Sequence, residues 1–458
     1  YAYHPFGELA SITDAATNVT SWSYNLRGFV TGTTDPDAGA WTYQPNAFGE
    51  IASIRDAKTV SPAWTTQFTF DKLSRPLTRV EAEGTTTWTW GSSAAAKNIG
   101  SLASITSPGG YAEIYSYDAL RRPSQQQINA DGGSYYVNQT YAAATGLLST
   151  LEYPTSTSGY RLKLAYDYGS GLLKRVRDAN GATVFWEAVS TDAWGHVQDE
   201  AFGNGVRTFT DFDQASGLLS ARTGGVGGGT GLIHSLVDWD LNGNLKQRQD
   251  LKLSPAVTED FYYDSLNRFD YSQRTPAGGV TSTNADVTLD AIGNISWKQG
   301  IGNYSYHATQ RRAVVSAGGY SFGYDANGNM TSRNGANIGY TSYNLPNVIN
   351  APGGYSSTLS YGAFRNRYKQ VAIGAQGTET TITVAGLLEK VTNAQGTYYR
   401  HYIAGGNGTA AIYSRTASGS IETYYLHRDH LGSQELITRG NGTQVVRPSY
   451  SAYGERRD

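Results

Sequence analysis

The sequence predicts an all-β protein assembled from repeated β-hairpins, on three observations. A strand-ending residue, usually aromatic, is followed by a turn about every 22 residues, as in Tyr117-Asp118-Ala119-Leu120-Arg121-Arg122 and Tyr324-Asp325-Ala326-Asn327-Gly328-Asn329. Upstream of these anchors aromatic residues alternate with small or polar ones, as in Trp88/Trp90, Tyr115/Tyr117, Tyr304/Tyr306 and Tyr320/Phe322/Tyr324, and period two is the signature of a half-buried strand. The 54 Gly and 34 Tyr, with abundant Thr and Ser, favour strands and tight turns over amphipathic helices.

From the N-terminus, anchors fall at 3, 24, 43, 70, 90, 117, 141, 166, 191, 212, 239, 263, 289, 306, 324, 343 and 361. Eleven of these 17 are followed by Asp or Asn, too many for chance. Asp at a turn entrance caps its own backbone two residues on, and Gly or Asn supplies the positive φ that a tight hairpin needs. The returning strand of each unit is visible as Leu9-Ala10-Ser11-Ile12-Thr13, Ile51-Ala52-Ser53-Ile54-Arg55 and Leu102-Ala103-Ser104-Ile105-Thr106. One hairpin is marginal in water, so successive units must pair into a long sheet. Its aromatic face packs, with rings such as Tyr117 and Tyr263 expected buried; the face carrying Thr87, Thr89, Ser116, Ser305 and Ser321 is expected wet.

No helix-period stretch is long enough to organise a domain; the best candidates are 92–97 and 385–391. Gly224-Gly225-Val226-Gly227-Gly228-Gly229-Thr230-Gly231 falls inside one repeat interval and reads as an elongated surface loop. The repeat runs without a linker through about residue 375, and 376–458 reads as a distinct segment. The chain opens in mid-repeat without an initiator Met or secretory signal, so a piece of a longer polypeptide is expected.

Net charge is −2, without a basic stripe, which argues against nucleic acid as the main ligand. No apolar run approaches membrane-spanning length. Cysteine is absent, so no disulfide or thiolate metal site supports the fold.

The Tyr-Asp-x-x-Gly-Asn and Tyr-Asp-x-Leu-x-Arg units resemble the YD repeats of the Rhs family, which includes bacterial Rhs polymorphic toxins, the C component of Tc toxins and teneurins. Near the C-terminus, Tyr424-Tyr425-Leu426-His427-Arg428-Asp429-His430-Leu431-Gly432-Ser433 and Val446-Arg447-Pro448-Ser449-Tyr450-Ser451-Ala452-Tyr453-Gly454-Glu455 are similar to the family's Rhs-associated core segment. The resemblance implies a spiralling sheet that closes into a hollow β-shell around a C-terminal effector polypeptide. From residues alone a solenoid or propeller stays equally open. Toxin members continue into paired Asp-Pro-x-Gly motifs that release the cargo by self-cleavage. The only Asp-Pro here, in Asp35-Pro36-Asp37-Ala38-Gly39, has a different spacing and reads as a turn, so 376–458 is expected to stop before the cleavage motif.

His427, Asp429 and His430 are close enough to suggest a metal site or general base. On a strand, however, 427 and 429 share one face, 430 points away and no third ligand is apparent, so a hydrogen-bonded turn before Leu431-Gly432 is favoured. No Gly-x-Ser-x-Gly elbow positions a nucleophile. Sequons such as Asn18-Val19-Thr20, Asn138-Gln139-Thr140 and Asn407-Gly408-Thr409 are expected by chance at this Thr content. A calcium array of the β-roll kind needs shorter, Gly-Asp-denser repeats, and rows of rings at period two are more often packing than sugar platforms. No catalytic, cofactor-binding or metal residue is assigned.

Two functions follow. One is a non-enzymatic shell of an exported polymorphic toxin of interbacterial competition, with an effector and delivery proteins as partners. The other is a teneurin-like adhesion or carbohydrate-recognition module.

Overall fold

The computed structural model describes residues 1–58, 65–284, 286–406 and 408–457. Among them the chain is strand and turn, with helix confined to 3₁₀ turns at Pro108–Gly110 and Thr157–Gly159. The all-β expectation holds. The two helical candidates do not: 92–97 is a turn that reverses the chain between the paired strands Gly84–Trp90 and Leu102–Ser107, and 385–387 is a hairpin turn, with Ala385 at φ 52°, that leads into the strand Leu388–Asn393. No helix among the described residues is long and apolar enough to cross a membrane.

The repeat works through its turn. Asp118 Oδ1 accepts from the amides of Leu120 and Arg122 at 2.8 and 2.9 Å, while Oδ2 accepts from Arg122 Nε at 2.8 Å. Asp264 repeats the set with Leu266 and Arg268, and Asp325 with Asn327 and Asn329. One carboxylate therefore satisfies two backbone donors and clamps the Arg or Asn that ends the motif. The residue before that Arg or Asn turns left-handed: Gly328 has φ 82° and Asn267 has φ 58°, which is why Gly and Asn recur there. The Arg75 side chain holds the Asp71 carboxyl below the usual carboxylate range. Replacing Asp118 by Ala is expected to speed amide hydrogen exchange at Leu120 and Arg122 well before global unfolding. Unchanged exchange at both would remove the clamp from the account.

The anchor sits at a β-bulge beside the turn, as where Tyr117 pairs with Pro123 and Tyr263 with Phe269. Its ring is half-buried rather than buried, and its polar tip reaches the first residue of the preceding returning strand. Tyr24 Oη donates to Leu9 O at 2.9 Å, Tyr117 to Leu102 O at 2.6 Å, Tyr263 to Leu245 O at 2.9 Å and Tyr361 to Pro346 O at 2.5 Å. Trp90 and Trp239 do the same with Nε1. A strand-spanning hydrogen bond explains why the anchor is so often Tyr or Trp. Tyr117→Phe, which keeps the ring and deletes the donor, is expected to cost about 1 kcal/mol in denaturant unfolding; a neutral result would reduce the hydroxyl to decoration.

Three anchors were misplaced by the spacing. The turn after Tyr43 begins at Asn46, because Pro45 takes the bulge. Tyr166 pairs with Val176 in mid-strand, with its turn at 169–171. Tyr340 is the true anchor of the turn that contains Tyr343. In the glycine run, Gly224 and Gly225 belong to the strand Leu219–Val226, and the loop is shorter than expected. The same turn recurs beyond residue 375, at Asp429–Ser433 and Ser451–Glu455.

Every ladder pairing among the described residues is antiparallel and joins chain neighbours, so no backbone seam closes a ladder on itself. The chain divides into two compact units, residues 1–135 with 288–382 and residues 136–287 with 383–458.

In the first unit two ladders meet edge to edge. Connections on the far edge of the 1–135 ladder bond to the anchor turns of the 288–382 ladder: Asp37 with Arg312 at 3.2 Å, Asp56 with Asn327 at 2.7 Å, Glu81 with Arg365 at 2.5 Å and Glu83 with Ser342 Oγ at 2.6 Å. The outward face is wet as expected, with Thr89, Ser116, Ser305 and Ser321 exposed. The inward face carries polar groups the alternation did not announce. Glu113, 4 % exposed, accepts from Tyr111 at 2.6 Å and from Gln126 at 2.8 Å.

In the second unit the ladders meet across an apolar core. Trp186, Phe185, Tyr153, Leu162 and Leu164 from one side pack with Ile403, Ala411 and Tyr425 from the other. Each fully buried side chain of this kind contributes roughly 1.5–3 kcal/mol. Trp186 fixes the approach, since a Cβ on Gly405 would lie 2.7 Å from its ring.

Candidate functional site

The second unit also holds a buried charged cluster where the strands Leu219–Val226, Leu245–Asp250 and Val257–Tyr263 face the segment 426–457. Arg222 binds Glu435 at 2.5 Å and the carbonyl of Arg428. Arg447 binds Asp250 at 2.8 Å and the carbonyl of Leu232. Glu259, 2 % exposed, accepts from Arg457 at 2.9 and 2.8 Å, from Arg248 at 2.7 Å and from Ser272 at 2.9 Å. Burial alone would raise the Glu259 carboxyl, but Arg457 and Arg248 hold it down at about 2. Burial raises Glu435 despite Arg222 and Arg447. A cavity of about 90 Å³ lies against the cluster, lined by Leu219, Val237, Val257, His430 and Tyr450 among others. A larger one of about 480 Å³ shares Arg222, Asp429 and His430 and reaches His196 and Glu200.

Of the three residues weighed from the sequence, His427 has surroundings of its own, while Asp429 and His430 line the same two cavities. Asp429 Oδ1 accepts from the amides of Leu431 and Ser433 at 2.9 and 2.8 Å, the repeat's own turn. His427 is 1 % exposed, edge-on to Phe202 at 4.4 Å, with Nε2 3.0 Å from Thr438 Oγ1; burial pushes it down to about 3 and Arg222 adds to this. His430 borders both cavities beside Trp239, and burial lowers it as well. Among the described residues no three His, Asp or Glu side chains converge as metal ligands. The His427–Thr438 pair is buried at both ends, and the cluster's carboxylates Asp250, Glu259 and Glu435 are each engaged by arginine. The arrangement locks the 426–457 segment onto the facing strands. Asp429→Ala is expected to loosen residues 430–433 in hydrogen exchange without creating or removing any catalytic rate; loss of a stoichiometric metal in that variant would contradict this.

Sequence reasoning missed Arg222, Arg248, Glu259, Glu435, Arg447 and Arg457. Arg447 stands in the quoted core stretch, but nothing in its spacing names its partners.

The geometry defines a class of protein: a hairpin-repeat wall, laced by side chains across long sequence separations. Residues 3–40 match the family model described as RHS Repeat. Its fold is that of solved Tc toxin chains. The crystal structure of TcdB2-TccC3 without its hypervariable C-terminal region superposes with TM-score 0.68 at 16 % identity, over 96 % of this chain and 26 % of that one. TcdB2-TccC3 itself gives 0.65 at 16 % identity, over 96 % and 27 %. The Photorhabdus luminescens Tc holotoxin pore, with a substituted TccC3, gives 0.60 at 14 % identity, over 97 % and 26 %. The chain thus spans about a quarter of the length of the solved chains it matches. No curated protein matches it.

Proposed function

We propose that this chain is a wall of the encapsulating shell of an exported Rhs-type toxin, acting without catalysis of its own and enclosing an effector carried C-terminal to the core-like segment 376–458. The observation that carries this reading is the likeness over 96 % of the chain to TcdB2-TccC3, which persists with the solved complex that lacks its hypervariable C-terminal region. The matched part is therefore separable from the variable part. The closure a shell needs would come from edge and core contacts like those within each unit. Enclosure suppresses an effector by geometry, because it blocks access to targets and limits the volume for folding. The test is to express the native gene, and the same gene truncated after residue 458, in a susceptible host with and without the neighbouring genes. Toxicity from the complete gene alone, with its C-terminal product protected from protease until the wall is opened, is expected. Equal behaviour of both products would remove the container and favour an adhesive surface.

A further inference from the structure

The motif Asp-x-Asn-Gly occurs three times, beginning at Asp178, Asp240 and Asp325. In all three the Asp Oδ1 accepts from the Asn amide at 2.9 Å. After Asp240 and Asp325 the turn closes four positions on, where the Asp amide donates to the carbonyl of Asn244 or Asn329 at 2.9 Å. The Gly amide then donates back to the Asp carbonyl, Gly243 to Asp240 at 3.1 Å and Gly328 to Asp325 at 3.0 Å. Asp Oδ2 is taken as well, by the side-chain amide of Asn244 or Asn329 at 2.9 Å. The Asn of the motif is also held by its side chain, Asn242 on Asn267 at 3.1 Å and Asn327 on Asp56 at 2.7 Å.

After Asp178 the chain returns one residue later, and the motif is left open. The Asp178 amide donates to Thr183 O at 2.8 Å, five positions on, and the fourth position is Ala182, whose methyl cannot bond Oδ2. Among the described residues, Asp178 Oδ2, the Gly181 amide and the Asn180 side chain accordingly make no hydrogen bond. They are also close together, since a Cβ on Gly181 would lie 3.2 Å from Asp178 Oδ2. Asn180, Gly181 and Ala182 are all exposed, so water reaches the loop. An ionised carboxylate can only accept, and the nearby N–H is a proton without another acceptor. Gly181 has no side chain to keep its nitrogen from the Asn180 side-chain carbonyl.

We infer that Asn180 is a self-modification site, at which the Gly181 nitrogen closes on the Asn180 side-chain carbonyl with Asp178 as proton acceptor. Ring closure is intramolecular, between groups that are neighbours along the chain. Asp178 Oδ2 takes the Gly181 N–H proton as the nitrogen bonds to Asn180 Cγ. The Cγ–Nδ2 bond breaks, and the departing nitrogen carries that proton away as ammonia. Water, the one co-reactant, then opens the succinimide at either carbonyl and leaves aspartate or isoaspartate at position 180. Either product sets a second carboxylate beside Asp178, and isoaspartate adds a backbone atom between the paired strands Leu172–Asp178 and Val184–Thr191. The second of these strands carries Phe185 and Trp186 of the apolar core, so the change marks the age of the molecule next to its best-packed part. The inference needs neither enclosure nor an effector.

The experiment ages the intact native gene product at neutral pH and maps its peptides for aspartate and isoaspartate at positions 180, 242 and 327. Asn242 and Asn327, in the closed copies of the same motif, are internal controls. Modification at Asn180 is expected to run roughly tenfold or more ahead of both, and Asp178→Asn, which keeps an oxygen for the Asn180 amide, to slow it by roughly tenfold or more with the circular dichroism spectrum unchanged. If that variant fails to fold, deletion of Ala182 replaces it; restoring the spacing of the closed turns is expected to protect Asn180. Equal rates at the three positions, an unmodified Asn180, or an undiminished rate at Asn180 in the folded variant overturns the proposal.

Discussion

Removing the Glu259 carboxylate is expected to destabilise the second unit by roughly 3–5 kcal/mol, because it strands two arginines that now share one buried acceptor. The Glu259 side chain is 3 % exposed, and it receives Arg457 through two hydrogen bonds, Arg248 and Ser272 together. Arg457→Ala should cost less, since Arg248 stays to neutralise the carboxylate and Arg457, 22 % exposed, begins partly hydrated. The expected order in urea unfolding is therefore Glu259→Ala well above Arg457→Ala. A Glu259→Ala cost below about 1 kcal/mol would mean that the cluster is solvated and does not lock the 426–457 segment.

The second large effect is acid lability from two buried neutral histidines. His401, 0 % exposed, donates from Nδ1 to the carbonyl of Tyr413 at 2.9 Å and sits among Tyr153, Tyr160 and Tyr413; burial pushes it down to about 4, and Arg415 adds to this. His427 is pushed to about 3. Each stays neutral in the folded protein while the unfolded chain protonates near pH 6.5. Stability is therefore full above that value and falls as pH drops toward the folded values. Between pH 7.5 and 5 the pair should lose about 4 kcal/mol, before ordinary aspartates begin to titrate. Burial raises Glu200 and Glu435, which work with the opposite sign, so the diagnostic quantity is a difference. The His401→Asn, His427→Asn double variant should show a correspondingly flatter pH dependence. Parallel curves for variant and parent would rule the histidines out.

Local chemistry was legible where one residue decides its own surroundings. Asp118, Asp264 and Asp325 cap turns because a short carboxylate reaches its own backbone, whatever lies beyond. Exposure of Ser116 and Ser321 followed from strand alternation for the same reason. The spacing failed at Pro45, Tyr166 and Tyr340, where a bulge or a longer hairpin shifted the turn by two or three residues without changing the composition. Burial of the anchors was overestimated because a Tyr can span the ladder with its hydroxyl while its ring stays half-exposed. The charged cluster was illegible in principle. Arg457 and Glu259 are 198 residues apart, and no periodicity encodes which arginine meets which acid.

The self-contained turn has a consequence for how the chain is made. A carboxylate that bonds residues two and four positions on closes its loop as soon as a few residues emerge, so loop-closure entropy per hairpin is small. Each returning strand then adds to an edge already formed, and the ladder can grow in the direction of synthesis. The bond from Asp14 must wait for Arg312, 298 residues on, and the bond from Glu259 for Arg457, 198 residues on. Nascent chains should therefore carry finished hairpins on an open sheet until those distant partners emerge, and acquire the cross-ladder bonds of each unit in a late step of its own. That late step, rather than strand formation, would set the time for which the unsealed edges are exposed to other nascent chains.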